Sequence, residues 1–108
     1  MAYAEALAAL ADPTRRSVFE TLRGGPSSVG DLARGLPVSR PAVSQHLRVL
    51  KHAGLVRERR EGTRNYYSVD GDGLADVREY FETFWDEALS AFKAAAEQEG
   101  DENDPDDG

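Results

Sequence analysis

Apolar positions in this 108-residue chain follow a helical period over most of its length and change to a period of two only once. From Tyr3 to Ala11 the chain is rich in Ala and Leu, with Leu7 and Leu10 on one face. Asp12-Pro13 reads as a helix start, Asp12 as N-cap and Pro13 at the first helical position, where a missing N–H is harmless. Val18, Phe19 and Leu22 form the apolar stripe of this second helix, and Gly24-Gly25-Pro26 ends it. Ser28 caps a third, short helix from Val29 to about Gly35 that buries Val29, Leu32 and Ala33. After the break Leu36-Pro37-Val38, Ser39 caps a fourth helix with Pro41 in its first turn. Its stripe is Val43, Leu47 and Leu50, and Ala53-Gly54 closes it.

The period then changes. Leu55 to Arg60 and Arg64 to Val69 are short, rich in Val, Tyr and Arg, and split by Glu61-Gly62-Thr63, which predicts a β-hairpin with a charged tip. Asp70-Gly71-Asp72-Gly73 has the look of a calcium loop but lacks the later acidic ligands at loop spacing, and reads as a turn and helix cap. A long helix is predicted from Leu74 to about Glu97, with Leu74, Val77, Phe81, Phe84, Trp85, Ala88, Leu89 and Phe92 on one face. Residues 98–108 read as an acidic disordered tail, leaving 1–97 as one domain. The fold class is therefore mainly α with a small β-hairpin, in the element order of a winged helix-turn-helix.

Composition narrows the chemistry. The chain has no cysteine, which removes disulfides, thiolate metal sites and cysteine nucleophiles and fits a cytoplasmic location. His46 and His52 are the only histidines, and no nucleophile–base pair or phosphate-cradling Gly loop is evident, so the chain is not read as an enzyme. No apolar run approaches the ~18 residues of a membrane span, and Met1 to Glu5 lacks the features of a secretory signal. The formal net charge of −7 averages unlike segments. Residues 15–64 carry eleven basic groups against four acids, whereas residues 70–108 carry fourteen acids against Arg78 and Lys93. A basic middle beside an acidic end is the pattern of a polyanion-binding face with a separate acidic element, the latter a solubility element or a brake on non-specific binding.

On the fourth helix, steps of about 100° per residue place Leu47 and Leu50 near Val43 and put Pro41, Gln45, Arg48 and His52 near the opposite side. Ser44 and Arg40 fall on one flank. Gln45 can pair bidentately with adenine and Arg48 with guanine or a phosphate. Ser39, Arg40 and Ser44 lie near the helix N-terminus, where amide groups favour a phosphate, and His52 suits a weak phosphate contact in the last turn. In the hairpin, Arg57, Arg59, Arg60 and Arg64 cluster around the tip that includes Thr63, and arginines on a narrow ribbon can enter a minor groove or clamp its backbone. The plainer alternatives stay open at this point: Gln45 and Arg48 as ordinary surface residues, and the arginines as a charged edge that discourages aggregation.

The runs ALADPTRRSVFETL and DLARGLPVSRPAVSQHLRVLKHAGLVRERREGTRNYYSV, with the aromatic helix after them, resemble the ArsR-type winged-helix repressors over roughly residues 4–92. The most specific parts are Asp12-Pro13-Thr14-Arg15 and the run from Ser39 through Ser44, His46 and Leu47 to Ala53-Gly54-Leu55-Val56. The resemblance implies a homodimeric repressor, often acting at its own promoter, in which the segment around Ser39 to Arg48 reads double-stranded DNA and the hairpin is the wing. It also implies a dimer through the first and last helices, hence Leu7, Leu10, Val77, Phe81, Phe84, Trp85, Leu89 and Phe92 as interface. The aromatic stripe argues for this independently, being wider than a small domain core requires.

The departures from the family carry equal information. Metal-sensing members have a Cys-x-Cys pair where this chain has Ser28 and Gly30, and the last helix has no histidine to join its carboxylates. No metal and no cofactor is therefore expected, and no effector is named by any residue. In the family pattern His46 is a packing and hydrogen-bonding residue. Of Tyr66 and Tyr67, one should pack inward and the other face a phosphate. The net negative charge keeps a second class in play, a winged-helix module that binds protein rather than DNA.

Overall fold

A computed structural model describes residues 2–102 of the chain, with side-chain environments for residues 3–98. The chain divides into two compact units, Met1–Val77 and Arg78–Gly108.

In the first unit, helices α1 (Ala2–Ala11) and α2 (Pro13–Thr21) meet at Asp12. The Asp12 carboxylate accepts the Arg15 backbone N–H at 2.9 Å, and that bond holds its pKa below the ordinary value. The same turn closes α1 from outside. Arg15 Nε donates to the Ala9 carbonyl at 2.6 Å and Arg16 Nη1 to the Leu10 carbonyl at 2.9 Å, covering oxygens that a helix end leaves without intrahelical partners. The Asp-Pro-Thr-Arg-Arg run is thus a corner brace.

After a 3-10 turn at Leu22–Gly24 come α3 (Val29–Gly35) and α4 (Arg40–His52). Each starts on the expected serine: Ser28 Oγ accepts from the Asp31 N–H and Ser39 Oγ from the Ala42 N–H. Helix α4 ends in a Schellman turn, with the Leu55 N–H on the Leu50 carbonyl and the Gly54 N–H on the Lys51 carbonyl, both at 3.0 Å. Gly54 takes the left-handed conformation this requires, φ +78°.

Strands β1 (Val56–Glu61) and β2 (Arg64–Val69) pair antiparallel, Val56 opposite Val69 and Glu61 opposite Arg64. Gly62 and Thr63 form the two-residue turn, with Gly62 at φ +61° in its first central position, as a type II′ turn requires. Two backbone bonds between Ser27 and Tyr67, 3.0 and 2.8 Å, tie β2 to the segment before α3.

Helix α5 runs from Gly71 to Glu102. It begins three residues before Leu74 because the Asp70 carboxylate accepts the Asp72 N–H at 3.0 Å, so the Asp-Gly-Asp-Gly run is a helix cap. Its first turn is also bonded to the end of α4: the Gly73 N–H donates to the Gly54 carbonyl at 2.9 Å, and the Asp70 N–H to the Leu55 carbonyl at 2.8 Å. A Cβ on Gly73 would lie 2.3 Å from the Gly54 oxygen. At its other end α5 continues five residues past Glu97, carried by the strong helix formers Ala94–Ala96. The rest of the expected tail, 103–108, lies outside the described residues.

The core of the first unit comprises Ala6, Ala9, Val18, Leu22, Leu32, Val43, Leu47, Leu50, Leu55 and Val56. Leu10, Phe19, Val29, Ala33 and Val77 pack partly buried against it. The predicted stripe of α4 is the centre of this core, Val43, Leu47 and Leu50 each being fully buried. In the second unit, Phe81, Phe84, Trp85, Leu89 and Phe92 stand 49–75% exposed along α5. Tyr80 packs edge-on against Phe81 and Phe84. No helix among the described residues is long and apolar enough to cross a membrane.

Candidate nucleic-acid interface

The dry stripe of α4 turns its other side outward. Ser39, Arg40, Pro41, Gln45, Arg48 and His52 are exposed and Ser44 is half-buried. Arg48 Nη1 donates to Gln45 Oε1 at 3.2 Å, so the two candidate base-reading groups are held side by side. Neither touches a carboxylate among the described residues. Arg40 makes no ion pair or hydrogen bond among the described residues.

The hairpin contrasts with this. Of its arginines, Arg57 pairs with Asp70 at 3.3 Å and Arg59 with Glu61 at 3.1 Å, while Arg60 turns back onto the Gly62 carbonyl at 3.2 Å. Strand alternation also divides the cluster. Arg57 and Arg59 share a face with Tyr66, and Arg60 shares the other with Glu58, Asn65 and Tyr67. Thr63 and Arg64 are exposed at the tip, and Arg64 has no ion-pair or hydrogen-bond partner among the described residues.

Sequence reasoning missed one joint. Glu58, on the inward face with Val56, accepts a hydrogen bond from Lys51 Nζ at 2.9 Å and one from the Tyr67 hydroxyl at 3.1 Å. Lys51 and then Tyr67 hold the Glu58 carboxyl below its ordinary range, and burial followed by Glu58 pushes the Tyr67 phenol up. This joint ties the hairpin to the last turn of α4. Its signal in the chain is a lone acid at an inward strand position among arginines. Tyr67 is the inward tyrosine of the pair, and Tyr66 lies on the opposite face of the hairpin.

His46 sits half-buried at the border of the stripe, and its buried Nδ1 has no hydrogen-bond partner among the described residues. The predicted interface residues fall into two groups. Phe81, Phe84, Trp85, Leu89 and Phe92 are exposed, whereas Leu7 and Leu10 are half-buried and Val77 packs against its own core.

Comparison with known proteins places this geometry among regulators. A family described as a helix-turn-helix domain matches residues 10–59. The chain is 54% identical over 94 residues to the HTH-type transcriptional regulator Rv2034 of Mycobacterium tuberculosis, covering 87% of this chain and 88% of that protein. It is 40% identical over 68 residues to the transcriptional repressor SdpR of Bacillus subtilis, covering 63% and 76%. Among solved structures it resembles a homodimeric winged helix-turn-helix DNA-binding domain from Mycobacterium bovis, described as a possible ArsR-family transcriptional regulator. That similarity has a TM-score of 0.64 at 33% identity and covers 82% of each chain.

Proposed function

The chain belongs to the ArsR-type family of winged helix-turn-helix DNA-binding transcriptional regulators, and on that premise we propose that it represses transcription as a homodimer on a palindromic operator. Helix α4 lies in the major groove, with Gln45 and Arg48 at base edges and Ser39, Arg40, Pro41, Ser44 and His52 toward the backbone. The hairpin is the wing, and Arg59, Arg60, Thr63 and Arg64 meet the flanking backbone or minor groove. The observation that carries this reading is the outer face of α4, where Gln45 and Arg48 are exposed, joined to each other and, among the described residues, free of carboxylates, while the same helix is anchored by three fully buried side chains.

Dimerisation uses the exposed aromatic face of α5 with Leu7 and Leu10 of α1. Phe81, Phe84, Trp85, Leu89 and Phe92 form an apolar face that water would otherwise cover. A dimer is needed to hold two α4 helices about 34 Å apart, one duplex turn. No thiolate metal site belongs to this reading, since Ser28 is the cap of α3 and Gly30 carries no ligand. The protein works in the cytoplasm without a cofactor and is not an enzyme.

A mobility-shift assay followed by a footprint on the DNA upstream of its own gene tests the whole reading. The expected result is two protected half-sites about 10 base pairs apart, or a multiple of that spacing. A protein that stays monomeric at working concentration, or one that protects no DNA, would refute it.

A further inference from the structure

An open polar recess of about 460 Å³ lies at the junction of α3, α4 and β2. Helix α4 contributes Arg40 and Ser44 to its lining, β2 contributes Arg64, Asn65 and Tyr67, and the first turn of α3 contributes Gly30. Arg40 is laid across α3, because a Cβ at Gly30 would lie 3.3 Å from its Nη2 and a side chain there would displace it. Asp31 and Arg34 also line the recess, but they are paired with each other and cancel. Hydrogen bonding from Ser28, then the nearby Arg34, holds the Asp31 carboxyl below its ordinary value. What remains is two guanidinium groups from different elements, neither with an ion-pair or hydrogen-bond partner among the described residues. Ser44 and Asn65 line the same recess.

We propose that this recess is a phosphate-binding site. Guanidinium groups present forked donors that match phosphate oxygens, and two of them carry the charge that a phosphate group needs. The recess sits at the N-terminal end of α4, whose aligned amides add to the same field. Its volume lies in the range of ~300–1,000 Å³ found for whole small-molecule sites. Those sites are mostly apolar, and the polar lining here suits a ligand that carries the phosphate. The phosphate comes from the DNA backbone or from a free phosphorylated solute. A group held there would bridge the start of α4 to the wing, so a free phosphate would compete with DNA beyond its effect on ionic strength. The backbone source rests on the DNA-binding reading above, and the free source does not.

Two arms separate the sources. In the first, inorganic phosphate replaces chloride at constant ionic strength against the full chain without DNA, and amide shifts are followed by NMR. Saturable shifts at Gly30, Ser44 and Asn65 are expected. Arg40→Ala or Arg64→Ala should weaken the midpoint by about tenfold or more, the cost of one charge-assisted hydrogen bond. Arg23→Ala, outside the recess, should leave it unchanged. Arg40→Gln replaces the alanine variant if that loses helix content. In the second arm, single methylphosphonates are scanned along the bound DNA. One position should weaken wild-type binding and lose its effect in Arg64→Ala. A positive first arm alone assigns the site to a free solute, and a positive second arm alone assigns it to the DNA backbone. If the protein binds no DNA, the first arm still decides. Absence of saturable shifts together with no such methylphosphonate position overturns the proposal.

Discussion

Helix α4 and the hairpin both carry arginines toward solvent, but their charges are in different states. Among the described residues, Arg40 on α4 has no ion-pair or hydrogen-bond partner and Arg48 bonds to Gln45 alone. On the hairpin, Arg57 and Arg59 are matched by Asp70 and Glu61 and Arg60 is folded back on the turn, which leaves Arg64 at the tip as its guanidinium without a partner among the described residues. A charge that already has a carboxylate beside it must give up that partner before it can hold a phosphate. Exposed ion pairs contribute only about 0–1 kcal/mol, so the hairpin pairs can open, but their net gain on DNA is smaller than that of a free guanidinium. The two regions also differ in support. Behind α4 stand three fully buried side chains, while the hairpin is tied down by the Ser27–Tyr67 backbone bonds and the Glu58 joint.

The largest effect is expected from removing the support of α4. Leu47→Ala should lower stability by about 2–5 kcal/mol in urea unfolding, because a fully buried side chain leaves a cavity. Gly73→Ala should act on the same element from the other side, costing roughly 1–3 kcal/mol by forcing a Cβ against the Gly54 carbonyl. A near-neutral result for both would mean that α4 is not held as described.

Next come the groups proposed to read bases. Arg48→Ala and Gln45→Ala should each weaken specific binding by about 1–3 kcal/mol while leaving non-specific binding nearly unchanged, measured by titration on operator and scrambled DNA. Equal losses on both DNAs would assign them to the backbone instead.

The Glu58 joint should give an intermediate effect. Glu58→Gln removes the charge that Lys51 and Tyr67 share, and should weaken DNA binding several-fold while changing stability by about 1 kcal/mol or less. The pH dependence follows from the direction of its shift. A carboxyl held below its ordinary value of 4.5 adds stability that is present above that value and is lost as pH falls through the lower folded value. Wild type should therefore lose stability faster than Glu58→Gln in acid unfolding curves below pH 4.5.

The smallest effect is expected in the wing. Arg59→Ala with Arg60→Ala should lower affinity on all sequences and flatten the salt dependence by less than the ~0.9 per phosphate of a free cation. Glu61→Gln, which frees Arg59, should raise non-specific affinity slightly. A wing double variant that costs more than Arg48→Ala would reverse the contrast between the two regions.

Most of the backbone plan is legible along the chain, because its signals are local. Asp12, Ser28 and Ser39 bond to amides three residues on, and Gly62 supplies the positive φ of a tight turn. The stripe of Val43, Leu47 and Leu50 needs only the helical period to find its face. The outer face of α4 follows from the same rotation, so the exposure of Gln45 and Arg48 is already written in the helical period. The available charge could not be found this way. Arg15 and Arg16 count toward the basic segment but are used as caps on α1, and Arg57 is matched by an acid thirteen residues away.

The chain alone thus decides which segments are helix or strand and which side of each is dry, since both depend on neighbours within one or two turns. Only the folded structure decides which arginines are left without a partner, how Glu58 joins the wing to α4, and that Arg40 and Arg64 line one recess. Those outcomes depend on distances between residues far apart in sequence, because hydrogen bonds form only within about 3 Å and Coulomb energy falls with separation.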